Sequence, residues 1–539
     1  MLSGRKGDER VKPGEITQDQ TEIVAFLADP ATHGGAVVER LETHGAMVFL
    51  AGDRAIKLKR AVWFPYMDYS TVARRRAACE AEIRLNRRTA PTLYEAALPI
   101  TRSRSGALAI DGEGAPVDWI VCMKRFAQEG LFDALARRGA LDEALMLELA
   151  DAVARFHHDV ERRPDRGGSE ALAELIAGND RQLRVFVPAV FAADRVAALD
   201  RASRAALASC AALLEARRAT GFVRHGHGDL HLRNICLFEG RPTLFDCIEF
   251  DESIACVDTI HDLAFLLMDL EYRGLRPLAN AAFNRYLARS GDPGALAALP
   301  LFLSCRAAVR AHVGAAVAAR QSDVGEAEAL RDEARGYLDL ALDFLRPPPP
   351  RLVAVGGLSG TGKTTLAHDL AAELGAAPGA VILRSDLIRK RLLGRGMFEH
   401  LPESAYDPAV GARVFETLAV AAEAALAAGH SVVADAVFRR SSERAAIARA
   451  ARRIGASFTG LWLEVDAAER LRRVAERAAG PPDASDATAA VARVQRDVDP
   501  RTLDWRRIDA RGDRAAVARK ARAVLAGKDR GGPSKRGGH

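Results

Sequence analysis

Cysteine is scarce and unpatterned in this chain of 539 residues. The seven that occur, Cys79, Cys122, Cys210, Cys236, Cys247, Cys256 and Cys305, are odd in number, scattered and never spaced as CxxC. That argues against both a disulfide framework and a zinc site, and the expected compartment is a reducing cytoplasm. No stretch reaches about 18 uninterrupted apolar residues. The opening run MLSGRKGDERVKPGE lacks the apolar core of a signal peptide, so neither export nor membrane insertion is expected. Aromatic residues make up only 6% against an apolar share of 49% carried by Ala, Leu and Val, which favours helix-rich α/β architecture over an all-β sandwich. Charge of one sign is not concentrated either. The 77 Lys and Arg against 71 Asp and Glu leave a net charge of +6, with both signs interspersed. Such a surface reads as arginine-rich and solvated rather than as a stripe for nucleic acid.

The length calls for two or three compact domains. The clearest boundary is the run Pro347 to Pro350, whose residues donate no backbone hydrogen bonds and favour an extended spacer. All seven cysteines precede it. We therefore expect one domain over 21–345, a linker over 346–350 and a second domain over 351–526. Residues 1–20 and the Gly-rich basic tail 527–539 are expected to be disordered. Before the linker, strand-like segments at Ala46–Leu50, Arg54–Leu58 and Trp119–Met123 give way to amphipathic helical patterns, predicting a small sheet-rich lobe followed by helices. After it, the apolar runs RLVAV, AVIL, SVVA and LWLEV alternate with helical patterns, the βαβ rhythm of a parallel sheet.

The segment Gly357, Leu358, Ser359, Gly360, Thr361, Gly362, Lys363, Thr364 satisfies GxxxxGK[ST], follows the first of these strands and opens a helical pattern. Glycines there let backbone N–H groups converge on phosphate oxygens, with Thr365 next in line. Lys363 reaches the outer phosphates and Thr364 is a Mg²⁺ ligand. Two later strands end in carboxylates that point at the ligand crevice of an open sheet. Asp435 suits the holding of Mg²⁺, and Asp386, followed by Arg389, suits deprotonation of an acceptor hydroxyl; helix capping is the alternative for each. Arg473 and Arg477, four apart on one helix face and followed by the loop Gly480 to Asp486, are candidates to stabilise a transferring phosphoryl group as part of a lid. A merely solvated face explains that spacing too. The region 351–526 resembles the small P-loop kinases of the gluconate, shikimate and polynucleotide 5′-kinase type, grouped as an AAA-like ATP-binding family. The resemblance implies use of ATP.

In the first domain, His225-Gly-His227-Gly-Asp229-Leu-His231-Leu-Arg-Asn234, followed by Leu244-Phe-Asp246, has the spacing of a phosphotransferase catalytic loop and of a metal-binding Asp on the next strand. A loop carboxylate must accept the acceptor's proton, an Asn five residues on can bend back to Mg²⁺, and a second Asp bridges that metal to the phosphates. Asp229 is thus the candidate base and Asn234 and Asp246 the candidate metal ligands, with His231 organising the loop. This pattern is similar to that of the aminoglycoside phosphotransferase and choline kinase family, over roughly Val37 to Phe344. The resemblance implies a bilobal protein-kinase-like fold and makes Asp262 a buried brace of the catalytic loop.

Such a fold needs a lysine for the α/β-phosphates and a glutamate to orient it. Lys57 in Ala55-Ile56-Lys57 is favoured, and Lys59, on the same strand face, competes with it. Glu82 shares a helix face with Cys79, Ile83 and Asn86 whereas Glu80 points away, so Glu82 is the candidate partner. Asp246 is followed by Cys247-Ile248-Glu249 rather than the Trp-Glu or Phe-Gly of relatives. The expected architecture is α/β, a bilobal protein-kinase-like domain followed by a P-loop parallel-sheet α/β/α kinase domain. The expected function is transfer of the γ-phosphoryl group of ATP, with Mg²⁺, to hydroxyls of small-molecule acceptors. The alternatives are an ATP-binding regulatory protein without turnover and a nucleic-acid 5′-end kinase in the C-terminal head.

Overall fold

The computed structural model describes residues 14–43, 45–64, 66–478, 483–486, 493 and 503–527. The greater part of each stretch expected to be disordered, residues 1–13 and 528–539, lies outside them. Gly14 to Gln20, within the expected leader, are tied to the small lobe. Gly14 and Thr17 N–H groups donate to Trp63 and Ala61 carbonyls at 2.8 Å, and the buried Gln20 amide donates to Asp118 Oδ2 at 2.8 Å.

The chain divides into two compact units, one of residues 1–172 and 214–266, the other of residues 173–213 and 267–539. The second unit thus holds helices from before the proline run together with everything after it.

The first unit is built on an antiparallel sheet of order Val38–Glu42, Ala46–Ala51, Arg54–Lys59, Ala115–Lys124, Tyr94–Arg102, Leu108–Ile110. Strand alternation sorts its two faces. Ile56 and Leu58 join Met47, Phe49, Ile100 and Ile120 in a core that also takes Ile23 and Leu27 of the helix Thr21–Ala28. On the other face Val121 and Tyr94 pack with Cys79 and Ile83 of the helix Val72–Asn86. Lys57 and Lys59, set between Ile56 and Leu58 and beyond, are thereby directed at that helix. After the sheet come the helix Glu143–Asp159, the strand Val223–His225, the segment that carries Asp229 and Asn234, the hairpin Ile235–Phe238 with Arg241–Leu244, and the helix that begins at Thr259.

The second unit contains a parallel sheet of order Val381–Arg384, Val432–Asp435, Arg351–Gly356, Ser457–Glu464, Arg506–Asp509. All four apolar runs after the linker form strands of it; Arg506–Asp509 had no comparable apolar signature. The helices Lys363–Ala371 and Arg514–Leu525 pack together with Val353, Val355, Leu461 and Ile508 on the sheet. The helices Arg276–Ser290, Leu299–Ala318 and Val324–Phe344, all from before the proline run, also belong to this unit. The stretch Leu296–Ala318 is long and apolar enough to cross a membrane, but 67% of its most apolar window is buried inside the protein, the mark of a core helix. The fold class is the expected one: a protein-kinase-like α/β region followed along the chain by a P-loop α/β/α domain. All seven cysteines are free and buried.

Candidate active sites

In the first unit the predicted lysine, glutamate and aspartate meet. Lys57 Nζ lies 2.9 Å from Glu82 Oε1 and 2.6 Å from Asp246 Oδ1. Lys59 pairs with Glu82 Oε2 and with Glu249, away from Asp246. The two lysines thus share Glu82, which is fully buried, while Glu80 is exposed and pairs with Arg76. Burial opposes the charge on Lys57, yet Asp246 and Glu82 hold its pKa well above the ordinary lysine value. Burial likewise opposes the charge on Glu82, but the two lysines bring it down to about 2.

Asp246 adopts φ 60°, an uncommon conformation for a residue with a side chain. Two contacts support it: its N–H donates to Tyr94 Oη at 3.1 Å, and the next N–H, of Cys247, donates to Asn86 Oδ1 at 2.8 Å. Asn86 Nδ2 in turn donates to the Glu82 carbonyl at 2.9 Å. The helix that supplies Glu82 therefore also positions the candidate metal ligand.

The candidate catalytic-loop residues also come together. Asn234 Nδ2 donates to Asp229 Oδ2 at 2.8 Å, and His231 Nε2 lies 3.3 Å from the same oxygen. Asp262 is fully buried and accepts the N–H groups of His227 at 2.7 Å and Gly228 at 2.9 Å, with His157 Nε2 at 3.1 Å. It is the brace that the resemblance implies. Gly226 must remain glycine for this approach, because a Cβ there would lie 2.5 Å from Asp262 Oδ2.

In the second unit the phosphate loop joins the strand Arg351–Gly356 to the helix Lys363–Ala371. Gly357, Gly360 and Gly362 have φ of 142°, 84° and 90°. At Gly360 a Cβ would collide with the Arg470 carbonyl at 2.4 Å, so both conformation and space demand glycine. Thr364 Oγ1 donates to Asp435 Oδ2 at 2.7 Å, joining the two predicted Mg²⁺ ligands. Lys363 donates to the Leu358 carbonyl at 3.1 Å, and burial holds its pKa below the ordinary value. A cavity of about 820 Å³ is lined by Lys363, Thr364, Asp386, Asp435, Arg473 and Arg477, with Ser359 to Gly362 and Thr365 also on its wall.

Asp386 lies in the first turn of the helix Ser385–Leu392. Burial first, and then repulsion by Asp435, push its pKa up against the pull of Arg384 and Lys363. Arg473 is held by Glu469 at 2.7 Å and donates to the Ala510 carbonyl at 3.1 Å. Of the loop Gly480 to Asp486, residues 480–482 lie outside the described residues.

Sequence reasoning missed Tyr94 and Asn86 behind Asp246, the Lys59 pairing with Glu249, His157, and Arg384, whose Nε lies 3.7 Å from Asp435 Oδ2. Among the described residues no group of three or more His, Cys, Asp and Glu is placed to hold a metal ion. Thr364 and Asp435 do form a pair, whereas the Asn234 side chain bonds to Asp229 and that of Asp246 to Lys57, with the Phe245 N–H donating to the Asn234 carbonyl at 3.0 Å between them. The Thr364 and Asp435 pair fits Mg²⁺, which keeps several waters and shares its remaining positions with phosphate oxygens.

These folds and sites define a two-headed protein of the kinase-like class, with a protein-kinase-like head and a P-loop head. The chain belongs to the same family as the Uncharacterized protein Rv2004c of Mycobacterium tuberculosis, with which it is 30% identical over 483 residues, covering 88% of this chain and 92% of the relative. The AAA domain family model matches residues 352–500. A choline/ethanolamine kinase family protein from Mesorhizobium loti is similar in structure at 15% identity and a TM-score of 0.37, covering 60% of this chain and 98% of that one. A gluconokinase from Sinorhizobium meliloti is similar at 20% identity and a TM-score of 0.23, covering 33% of this chain and 93% of that one.

Proposed function

We propose that the protein is a bifunctional ATP-dependent kinase that phosphorylates hydroxyls of small molecules in the cytoplasm. One observation carries the reading: in each unit a half-buried lysine lies near the carboxylate of a candidate Mg²⁺ ligand. Lys57 contacts Asp246 directly, and Lys363 shares one cavity wall with Asp435. Such a lysine suits a phosphate chain held between ammonium and metal. ATP with Mg²⁺ would supply the phosphoryl group and neutralise the charge on its oxygens.

In the first head Lys57, oriented by Glu82, binds the α/β-phosphates, and Asn234 and Asp246 hold the metal. Asp229 is oriented by the Asn234 amide and takes the proton of the acceptor hydroxyl. In the second head the N–H groups of the phosphate loop and Lys363 bind the phosphates, and Thr364 and Asp435 hold the metal. Asp386, whose raised pKa moves it toward the useful range of a base, takes the acceptor proton. Arg473 and Arg477 stabilise the charge of the group in transit. The test is transfer from ATP radiolabelled on its γ-phosphate, screened against metabolite and oligonucleotide collections, with wild type, Asp229→Asn and Lys363→Ala. Labelled small molecules lost selectively in one variant support the reading. Labelling of oligonucleotide 5′ ends alone, or no labelled product, overturns it.

A further inference from the structure

The helix Arg276–Ser290 precedes the proline run, yet its polar side chains complete the P-loop sheet within the second unit. Asn284 Oδ1 accepts the Ile382 N–H at 2.7 Å, and Asn284 Nδ2 donates to the Ala380 carbonyl at 3.1 Å. Asn280 Nδ2 donates to the same carbonyl at 3.1 Å. Among the described residues the strand Val381–Arg384 is the sheet's edge and pairs with Val432–Asp435 alone. An edge that is partly buried must find partners for its outward N–H and C=O groups, and two buried amides supply them here. Gly379, at φ 113°, leaves the space: a Cβ there would lie 2.7 Å from Asn280 Nδ2 and 2.5 Å from the Ala371 carbonyl.

The same helix grips a second element. Arg276 Nε and a terminal nitrogen of its guanidinium donate to the carbonyls of Ala372 and Gly375 at 2.7 and 2.8 Å. They lie just beyond the C-terminal end of the helix Lys363–Ala371, where the helix dipole is negative and a cation is favourable. The opposite end of that helix carries Lys363 and Thr364.

We propose that Asn284 and Arg276 are positioning residues of the C-terminal phosphotransfer site. The proposal rests on the kinase reading of that site given above. Asn284 fixes the edge strand at Ile382, two residues before Arg384 and four before Asp386, and Arg276 fixes the helix that begins at Lys363. Together they set the distance between the base and the phosphate loop. Misplacement of about 1 Å at such a distance lowers rate by as much as about a hundredfold.

The experiment uses the full chain. Asn284→Asp keeps an oxygen for the Ile382 N–H but loses the donor to Ala380 and sets a carboxylate against that carbonyl. Arg276→Gln removes the cation independently and remains the test should the first variant fail to fold. The expected result is a fall in kcat of the C-terminal head of about tenfold or more, with KM for ATP within about twofold of wild type. A wild-type kcat per folded molecule, even with a lowered Tm, overturns the proposal, since it would leave only a structural role. Hydrogen exchange decides the matter without turnover. In the wild type Mg·ATP is expected to protect Ser385–Leu392, and that protection is expected to be lost in Asn284→Asp and Arg276→Gln. Its retention in both variants overturns the proposal. Absence of any acceptor labelling by the wild type would instead overturn the kinase reading, with the exchange result still deciding the role of the two residues.

Discussion

Lys57 Nζ and Asp246 Oδ1 lie 2.6 Å apart, although 189 residues separate them in sequence. Lys59, two residues away on the same strand face, makes no such contact and pairs with Glu249, whose Oε1 also accepts from Tyr69 Oη at 2.6 Å. Lys57→Met is therefore expected to abolish ATP-dependent transfer by the first head and, because Lys59 still neutralises Glu82, to lower Tm less than Lys59→Met does. Lys59→Met, which leaves Glu249 without its buried cation, is expected chiefly to lower Tm. Parallel activity and melting measurements distinguish the two, and a reversed pattern would make Lys59 the phosphate lysine.

Glu82→Gln affects both lysines at once. Breaking a buried ion pair by removing one partner costs about 3–5 kcal/mol, so this variant is expected to be the least stable of the three. The sign with pH follows from the depressed pKa. Burial works against the charge, Lys57 and Lys59 overcome it, and the carboxyl titrates at about 2 rather than its ordinary 4.5. The stability it contributes is complete above its unfolded value and is lost as pH falls from there through about 2. Acid unfolding of the wild type should show that loss, and Glu82→Gln should not.

Asp229→Asn is expected to lower transfer by the first head by about 10²–10⁴ while sparing ATP affinity, because a general base acts on the acceptor rather than on the nucleotide. Titration with a fluorescent ATP analogue beside a turnover assay checks the split. Equal loss of binding and rate would remove Asp229 from the role of base.

For the second head the informative contrast is Lys363→Ala, expected to weaken ATP binding and stop turnover, against Asp386→Asn, expected to stop turnover alone. The raised pKa of Asp386 adds a pH signature. Burial is its main cause, with Asp435 adding to it, and a hydrogen bond from Ser485 lowers it. Because the ionised form is the base, the acid limb of kcat should lie above the ordinary aspartate range, and Ser485→Ala should move it higher still. A limb at the ordinary value, unmoved by that substitution, would remove Asp386 from the role.

Local pattern made much of this architecture legible. The phosphate loop, the four apolar strands after the linker and the catalytic-loop spacing each sit within a short window, where strand alternation, helical period and glycine requirement all act. Glu82 was separable from Glu80 because its face carries Cys79, Ile83 and Asn86. Contacts over long separations left no such trace. Nothing near Tyr94 points to Asp246, and nothing near Glu249 points to Lys59. Asn280 and Asn284 did leave a signal, two amides four apart among the buried Ala279, Ala281, Ala282 and Phe283. A buried amide pair at that spacing calls for backbone partners, but its sequence does not say which backbone.

That amide pair bears on the proline run. The sequence there reads as a spacer between independent halves, and Pro347 to Pro349 are indeed exposed. Yet Asn284, Asn280 and Arg276 lie before the run and hydrogen-bond to Ile382, Ala380, Ala372 and Gly375 after it, and the His430 ring bonds to the Leu296 carbonyl at 3.0 Å. Separation would leave an edge strand and a helix end without these partners, at about 1–3 kcal/mol for each buried group left unsatisfied. A protease site inserted between Pro348 and Pro349 tests this in the folded full-length protein. After complete cleavage the two pieces are expected to co-elute on gel filtration and to melt in one transition. Asn284→Asp combined with Arg276→Gln should loosen them. Clean separation of the wild-type pieces into two soluble, ATP-binding fragments would mean that the helix contributes little to holding the P-loop domain, and that the proline run is the boundary its sequence suggests.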